Sequence, residues 1–298
     1  MTGETVSHEL VPGAALPERG VHARNLFRDA ANRIHDDAVA RQHGYAGALV
    51  AGVTIYGYLA QVVVETLGVE WLRRGTATVR FARPVYDGDL LRLSGRIVGR
   101  SGRGEAGEVV AEIEARGPRG EVAASLSAGL AWGGPVIAAD PRGYAAAPLP
   151  ALPPPATADT LARLDPLGAP ALLLNTTALA QAAADLDDPS PRYRGPEAVA
   201  HPGLLLRQAN RALSENVALG PWIHVSSDVA HCDLARAGDR LETRGRVARL
   251  YERKGRGWVD LDLLIVAAGI RPIARIRHTA IYRMSADAGS GDPQGGTA

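Results

Sequence analysis

The chain has 298 residues, enough for about two domains at roughly 100–200 residues each, and 46% of them are hydrophobic, enough for two packed cores. With 33 basic against 32 acidic side chains the net charge is +1, which offers no field to gather nucleic acid or an anionic membrane surface. The single cysteine, Cys232, excludes an internal disulfide and a CxxC metal knuckle, and the first residues lack the basic stretch and apolar core of a secretory signal, so a cytoplasmic protein with a small-molecule partner is expected.

In chain order, a short lead-in is followed by a predicted polar helix near Asn25–Ala31, a loop, and an apolar helix near Val50–Leu67. The run from Tyr45 to Val64 carries no charge over twenty residues, long enough to span a bilayer. It contains Thr54, Gln61 and several glycines, has no basic flank and is followed at once by Glu65, which fits a helix enclosed by a sheet in a soluble protein. Four strand-like runs come next. ATVRFARPV alternates Ala77, Val79 and Phe81 against Thr78 and Arg80, and LLRLSGRIV, EVVAEIEAR and EVAASLSAGLAW follow. A proline-dense connector, Ala138 to Asp159, then interrupts the pattern. Beyond it the order recurs: a helix near Pro202–Asn216, then IHVSSDVAH, RLETRGRVARL, GWVDLDLLIVA and RPIARIRHTAIYR.

The recurrence is literal. GDLLRLSGRIV at 88–98 and GDRLETRGRVA at 238–248 share five of eleven positions at a spacing of 150 residues, and the same offset relates Asn25 to Asn175, Asp37 to Asp187 and Val79 to Val229. The expected organisation is therefore a first unit at 1–137, a linker at 138–160, a second unit at 161–284 and a disordered tail at 285–298. The expected class is α+β, each unit a long central helix wrapped by a curled antiparallel sheet.

GRGEAG, Gly102 to Gly107, satisfies a dinucleotide fingerprint but joins two strands, so a tight turn is the better reading. His231, Cys232 and Asp233 are neighbours on a strand and face alternately, which argues against a metal site.

The segment NRIHDDAVARQHGYAGALVAGVTIYGYL, Asn32 to Leu59, together with VRFARPVYDGDLL, Val79 to Leu91, resembles the MaoC-like (R)-specific enoyl-CoA hydratase/dehydratase branch of the hot-dog superfamily, here as a tandem double hot-dog. The resemblance covers the first copy well and the second in outline. It implies His35 as general acid/base, with Asn32 at the motif's Asn and the backbone N–H groups near Gly52 polarising a thioester carbonyl. The motif's Asp is replaced by Ala30, its Pro by Arg33 and a later His by Ala51, leaving Asp29 as the nearest substitute catalytic carboxylate. Asp36, Asp37, Tyr45 and His201 complete the expected substrate-binding set, and no metal is expected. The second copy has Asp185 at the position of His35 and is expected to be structural, contributing walls. CoA or phosphopantetheine would enter as part of the substrate, with an acyl thioester or acyl carrier protein as partner, and the chain would be a monomeric pseudo-dimer or a homodimer. Three functions stay open: hydration/dehydration of an enoyl or 3-hydroxyacyl thioester, thioester hydrolysis, and a non-catalytic acyl-binding scaffold.

Overall fold

The computed structural model describes residues 10–28, 30–102, 106–134 and 139–284. The expected disordered tail, 285–298, and the candidate Asp29 lie outside the described residues. The strands are β1 (Arg19–His22), β2 (Thr76–Phe81), β3 (Leu90–Ser101), β4 (Gly107–Arg116), β5 (Val122–Trp132), β6 (Ala171–Leu173), β7 (Ile223–His231), β8 (Arg240–Arg253), β9 (Arg256–Ala267) and β10 (Arg271–Arg283). The helices are α1 (Asp37–Gln42), α2 (Gly52–Arg74), α3 (Ala158–Ala162), α4 (Thr176–Asp185) and α5 (Pro202–Ser214).

All ten strands join one antiparallel sheet in the order β1-β3-β4-β5-β2-β7-β10-β9-β8-β6, so each half repeats the same sequence of strands outward from a central seam. The seam is the pairing of β2 with β7, where Thr78 lies opposite Asp228 and donates to its Oδ1 at 2.8 Å. These two residues are 150 apart in sequence, so the pseudo-twofold axis passes between equivalent positions. The alternation read from the sequence sets the register: Ala77 and Val79 face the core while Arg80 faces out.

Within the first half the sheet curls around α2. Tyr56, Tyr58, Leu59, Val62, Val63, Leu67 and Trp71 are all buried, which accounts for a helix with no polar face. By length and composition α2 could cross a membrane, but 72% of its apolar window is enclosed within the fold. Gly68, at φ +70, breaks the helical path just after the expected end at Leu67, and a further helical stretch then runs to Arg74. The side of α2 that the sheet leaves open is covered by α5, and the two approach where both carry glycine: a Cβ on Gly203 would stand 3.3 Å from the Gly57 Cα. The one amide on α2 is satisfied there, Gln61 Nε2 donating to the Leu186 carbonyl at 2.7 Å.

The helix expected near Asn25–Ala31 is a turn. Asn25 accepts through Oδ1 from the N–H of Phe27, two residues on, closing a tight turn that does not propagate. Its equivalent, Asn175, accepts from the N–H of Ala178, three residues on, and so caps α4, whose alanine-rich sequence then favours helix. The linker from Asp140 is tied to the second half: the Ala156 N–H bonds the Ala218 carbonyl, the Ala218 N–H bonds that of Pro154, and the Tyr144 hydroxyl reaches Asp262 at 3.0 Å. GRGEAG begins at the end of β3, where Gly102 turns the chain at φ +76; residues 103–105 lie outside the described set.

The duplication extends to a backbone constraint. Gly95 on β3 and Gly245 on β8 are equivalent and lie opposite Ile113 and Leu263, and a Cβ on either would overlap the carbonyl oxygen of the residue before that partner, Glu112 or Asp262, just before a bulge that both strands share. Gly95→Ala and Gly245→Ala are each expected to cost about 1–3 kcal/mol through overpacking, read as a lower midpoint of urea unfolding.

Candidate functional site

The segment before α2 is shaped by its own short polar side chains. Asn32 caps the 3-10 turn Arg33–His35, accepting from the Ile34 N–H, and Asp36 caps α1 by accepting from the N–H groups of Ala38 and Val39. Asn25 Nδ2 donates to the His35 carbonyl at 2.8 Å, holding the turn from the other side. His35 is thereby placed under the entrance to α2, 8% exposed. Its Nδ1 lies 2.7 Å from the Leu49 carbonyl, which can only accept, so Nδ1 carries the proton and Nε2 keeps its lone pair. The nearest polar neighbour of Nε2 is Asn32 Nδ2 at 3.4 Å. Burial pushes the imidazole below its ordinary value, against the smaller pull of the Leu49 carbonyl, so the ring is neutral and basic at Nε2.

Beside it α2 begins with an open end. Ala51 has no side chain to cap the first turn, so the orphan N–H groups and the positive end of the helix dipole are left for something else. Gly52 is required there: a Cβ would stand 2.9 Å from Phe81 Cε2 and 3.0 Å from His224 Nδ1.

Asn32, His35, Tyr45 and Gly52 line one cavity of about 280 Å³, together with Trp222, His224, Arg256 and Trp258 from the second half. A second cavity of about 430 Å³ shares Asn32, His35 and Trp222 with it. Among the described residues no Asp or Glu lines either one. Four of the expected site residues therefore come together, and three do not. Asp36 is used by its N–H donors and by Arg33 at 3.0 Å, and the Val39 N–H above all holds its carboxyl below the usual range. Asp37 accepts from the Ala48 N–H at 2.8 Å and closes the loop before α2. His201 caps α5 instead, as described below. The second half forms part of the cavity wall through Trp222, His224, Arg256 and Trp258. Asn32 clamps the Trp222 backbone twice, its Nδ2 donating to the carbonyl at 3.0 Å and its Oδ1 accepting the N–H at 3.2 Å, so both halves build the cavity.

No family model matches the chain, and no curated protein matches it in sequence. Solved structures do. A protein of Chloroflexus aurantiacus named as a MaoC domain dehydratase superposes with a TM-score of 0.66 at 12% identity, over 95% of this chain and 99% of its own. A conserved Mycobacterium tuberculosis protein described as having a double hotdog fold gives 0.62 at 19% identity, over 91% and 96%. A Lactobacillus plantarum protein named as an oleoyl thioesterase gives 0.54 at 10%, over 92% and 96%. The chain has the double hot-dog fold of MaoC-like dehydratases.

The two hot-dog units have diverged at the helix entrance. Where the first unit has Ala51, the second has His201, whose Nδ1 accepts from the Gly203 N–H at 3.1 Å and whose Nε2 lies 3.3 Å from Asp188 Oδ2. His201 is fully buried against Tyr193 and lines neither cavity, so its expected substrate-binding role is replaced by a capping one. Leu186 fills the space beside it, close to both Gly57 and Gly203. The second unit's entrance is closed by side chains, while the first unit's is open.

Two histidines of the double hot-dog are held neutral by burial alone, His231 down to about 4 and His278 to about 3. Such a group takes up its proton first in the unfolded chain. Its contribution to stability is complete above the ordinary histidine pKa and is lost as pH falls toward the folded value. Between about pH 7 and about pH 5, His231 and His278 together are expected to cost about 3–4 kcal/mol of stability, measured by urea unfolding, and His231→Leu should remove about half of that dependence.

Proposed function

We propose that the chain acts on acyl thioesters in the His35 cavity, and that the reaction is hydration/dehydration of an enoyl or 3-hydroxyacyl thioester of CoA or a carrier protein. The observation that carries this reading is His35 itself: a neutral imidazole, its tautomer set by the Leu49 carbonyl and its Nε2 lone pair met only by the long Asn32 Nδ2 contact at 3.4 Å, beside the uncapped start of α2. In the dehydration direction Nε2 takes the C2 proton, and the charge moves onto the thioester oxygen, where the helix N–H groups receive it. The C3 oxygen then leaves as water with the proton returned by the imidazolium, so one residue serves both transfers. Hydration is the reverse. Arg83 and Arg256 line the cavity, and among the described residues neither pairs with a carboxylate. They suit the phosphates of CoA or phosphopantetheine, which enters with the substrate.

A second reading is thioester hydrolysis, with the His35 Nε2 as the base. A single base can activate water against the carbonyl, and a thiolate leaves without an acid. Crotonyl-CoA, 3-hydroxybutyryl-CoA and butyryl-CoA separate the two. The expected outcome is interconversion of the first two without release of thiol, lowered by roughly 10²–10⁴-fold in His35→Ala and unchanged per folded molecule in His201→Ala. Thiol released from butyryl-CoA, with no change at C2–C3, would assign hydrolysis. Asp29→Asn belongs in the same series, because a fall in turnover there would make Asp29 the partner of His35. Binding without turnover, insensitive to His35→Ala, would leave only a scaffold.

A further inference from the structure

The cavity holds a second imidazole that His35 does not explain. His224, on β7 of the second half, reaches across to the start of α2, its Nδ1 lying 3.0 Å from where a Gly52 Cβ would stand. The Phe81 ring packs against it edge-on at 4.8 Å. The residue is 7% exposed, and Nδ1 has no hydrogen-bond partner. A buried nitrogen left unpaired carries a desolvation cost, so a ligand atom at this point would relieve a standing penalty.

The other side of the ring is held. Nε2 lies 2.8 Å from Ser227 Oγ, which lies 2.9 Å from Nδ1 of His278 on the neighbouring β10, and the two imidazoles stand 4.2 Å apart. Burial, with His278 adding to it against a smaller pull from the Ser226 backbone, holds His224 well below the ordinary value. Both rings are therefore neutral, and each bears one proton. The distances allow the relay to run either way; in the arrangement where His278 donates from Nδ1 to Ser227 and Ser227 donates to His224 Nε2, the His224 proton sits on Nδ1, buried beside Gly52 at the start of α2. His231 offers the contrast. Its nitrogens are also unpaired, but it packs against Trp71 at 5.0 Å and lines neither cavity.

We propose that His224 contacts the substrate: its Nδ1–H, with the first N–H groups of α2, holds the thioester carbonyl oxygen, and Ser227 and His278 are positioning residues that keep the proton on Nδ1. This rests on the acyl-thioester reading of the His35 cavity. It also gives the second hot-dog unit a chemical part in the first unit's site.

Crotonyl-CoA and the full chain test it. His224→Leu is expected to lower kcat by roughly 10²–10³-fold, the usual loss on removing one oxyanion donor, with KM nearly unchanged. His224→Asn, whose amide nitrogen takes the place of Nδ1, should recover most of that loss. Ser227→Ala should lower kcat by a smaller factor, because the imidazole remains but its tautomer is no longer set. In His35→Ala, where bound thioester persists, the infrared carbonyl band of crotonyl-CoA should move to lower frequency and return toward its solution position when His224→Leu is added. A folded His224→Leu chain with parental kcat and an unmoved carbonyl band overturns the proposal and leaves His35 untouched. If that variant does not fold, Ser227→Ala decides, and parental values there overturn it. Failure of the parent chain to bind crotonyl-CoA overturns both this proposal and the reading beneath it.

Discussion

A helical stretch with no polar side must be enclosed on every side, and residues 53–64 of α2 form such a stretch. One curled half-sheet covers most of it, and the remaining face is closed by α5 of the second hot-dog unit, with glycines at the crossing and the Gln61 amide bonded to the Leu186 carbonyl. The β2–β7 seam holds the two units in that relation. Enclosing α2 therefore requires both halves, and the site at its N-terminus inherits that dependence.

Duplication within one chain removes the requirement that the two units stay identical. At the entrance of α5, His201, Asp188 and Leu186 fill the space and satisfy the first turn. At the entrance of α2, Ala51 offers no side-chain cap and Gly52 no Cβ, so no side chain fills the space or takes up the first N–H groups. An open helix end beside a neutral histidine is electrostatically prepared for a developing negative charge, because its dipoles are already oriented and need no reorganisation. The closed end contributes packing. The asymmetry is one of side-chain volume at two equivalent positions rather than of backbone.

Much of this was legible in the residues. The 150-residue repeat, the charge-free helix and the period-two strands each follow from a local pattern, and Asn32, His35, Tyr45 and Gly52 were found as a group through motif resemblance. Asp36 and Asp37 fall outside the cavity because a carboxylate can serve a backbone N–H as readily as a ligand: Asp36 holds those of Ala38 and Val39, and Asp37 that of Ala48, eleven residues on. His201 likewise spends its Nδ1 on the Gly203 N–H. His224 and His278 left a faint signal, two histidines within apolar strand patterns, but nothing in either strand says that they meet on one serine or face the other half.

The sequence by itself determined the two central helices, the eight long strands and their duplication, because helix and strand periodicities, turn residues and caps act over a few positions along the chain. The tertiary structure alone decided which helix entrance is open, which carboxylates are consumed by backbone donors, and that a histidine of one unit stands at the helix end of the other. Those outcomes depend on contacts between residues far apart in sequence, such as Asn32 with Trp222 and His224 with Gly52, and no local pattern encodes them.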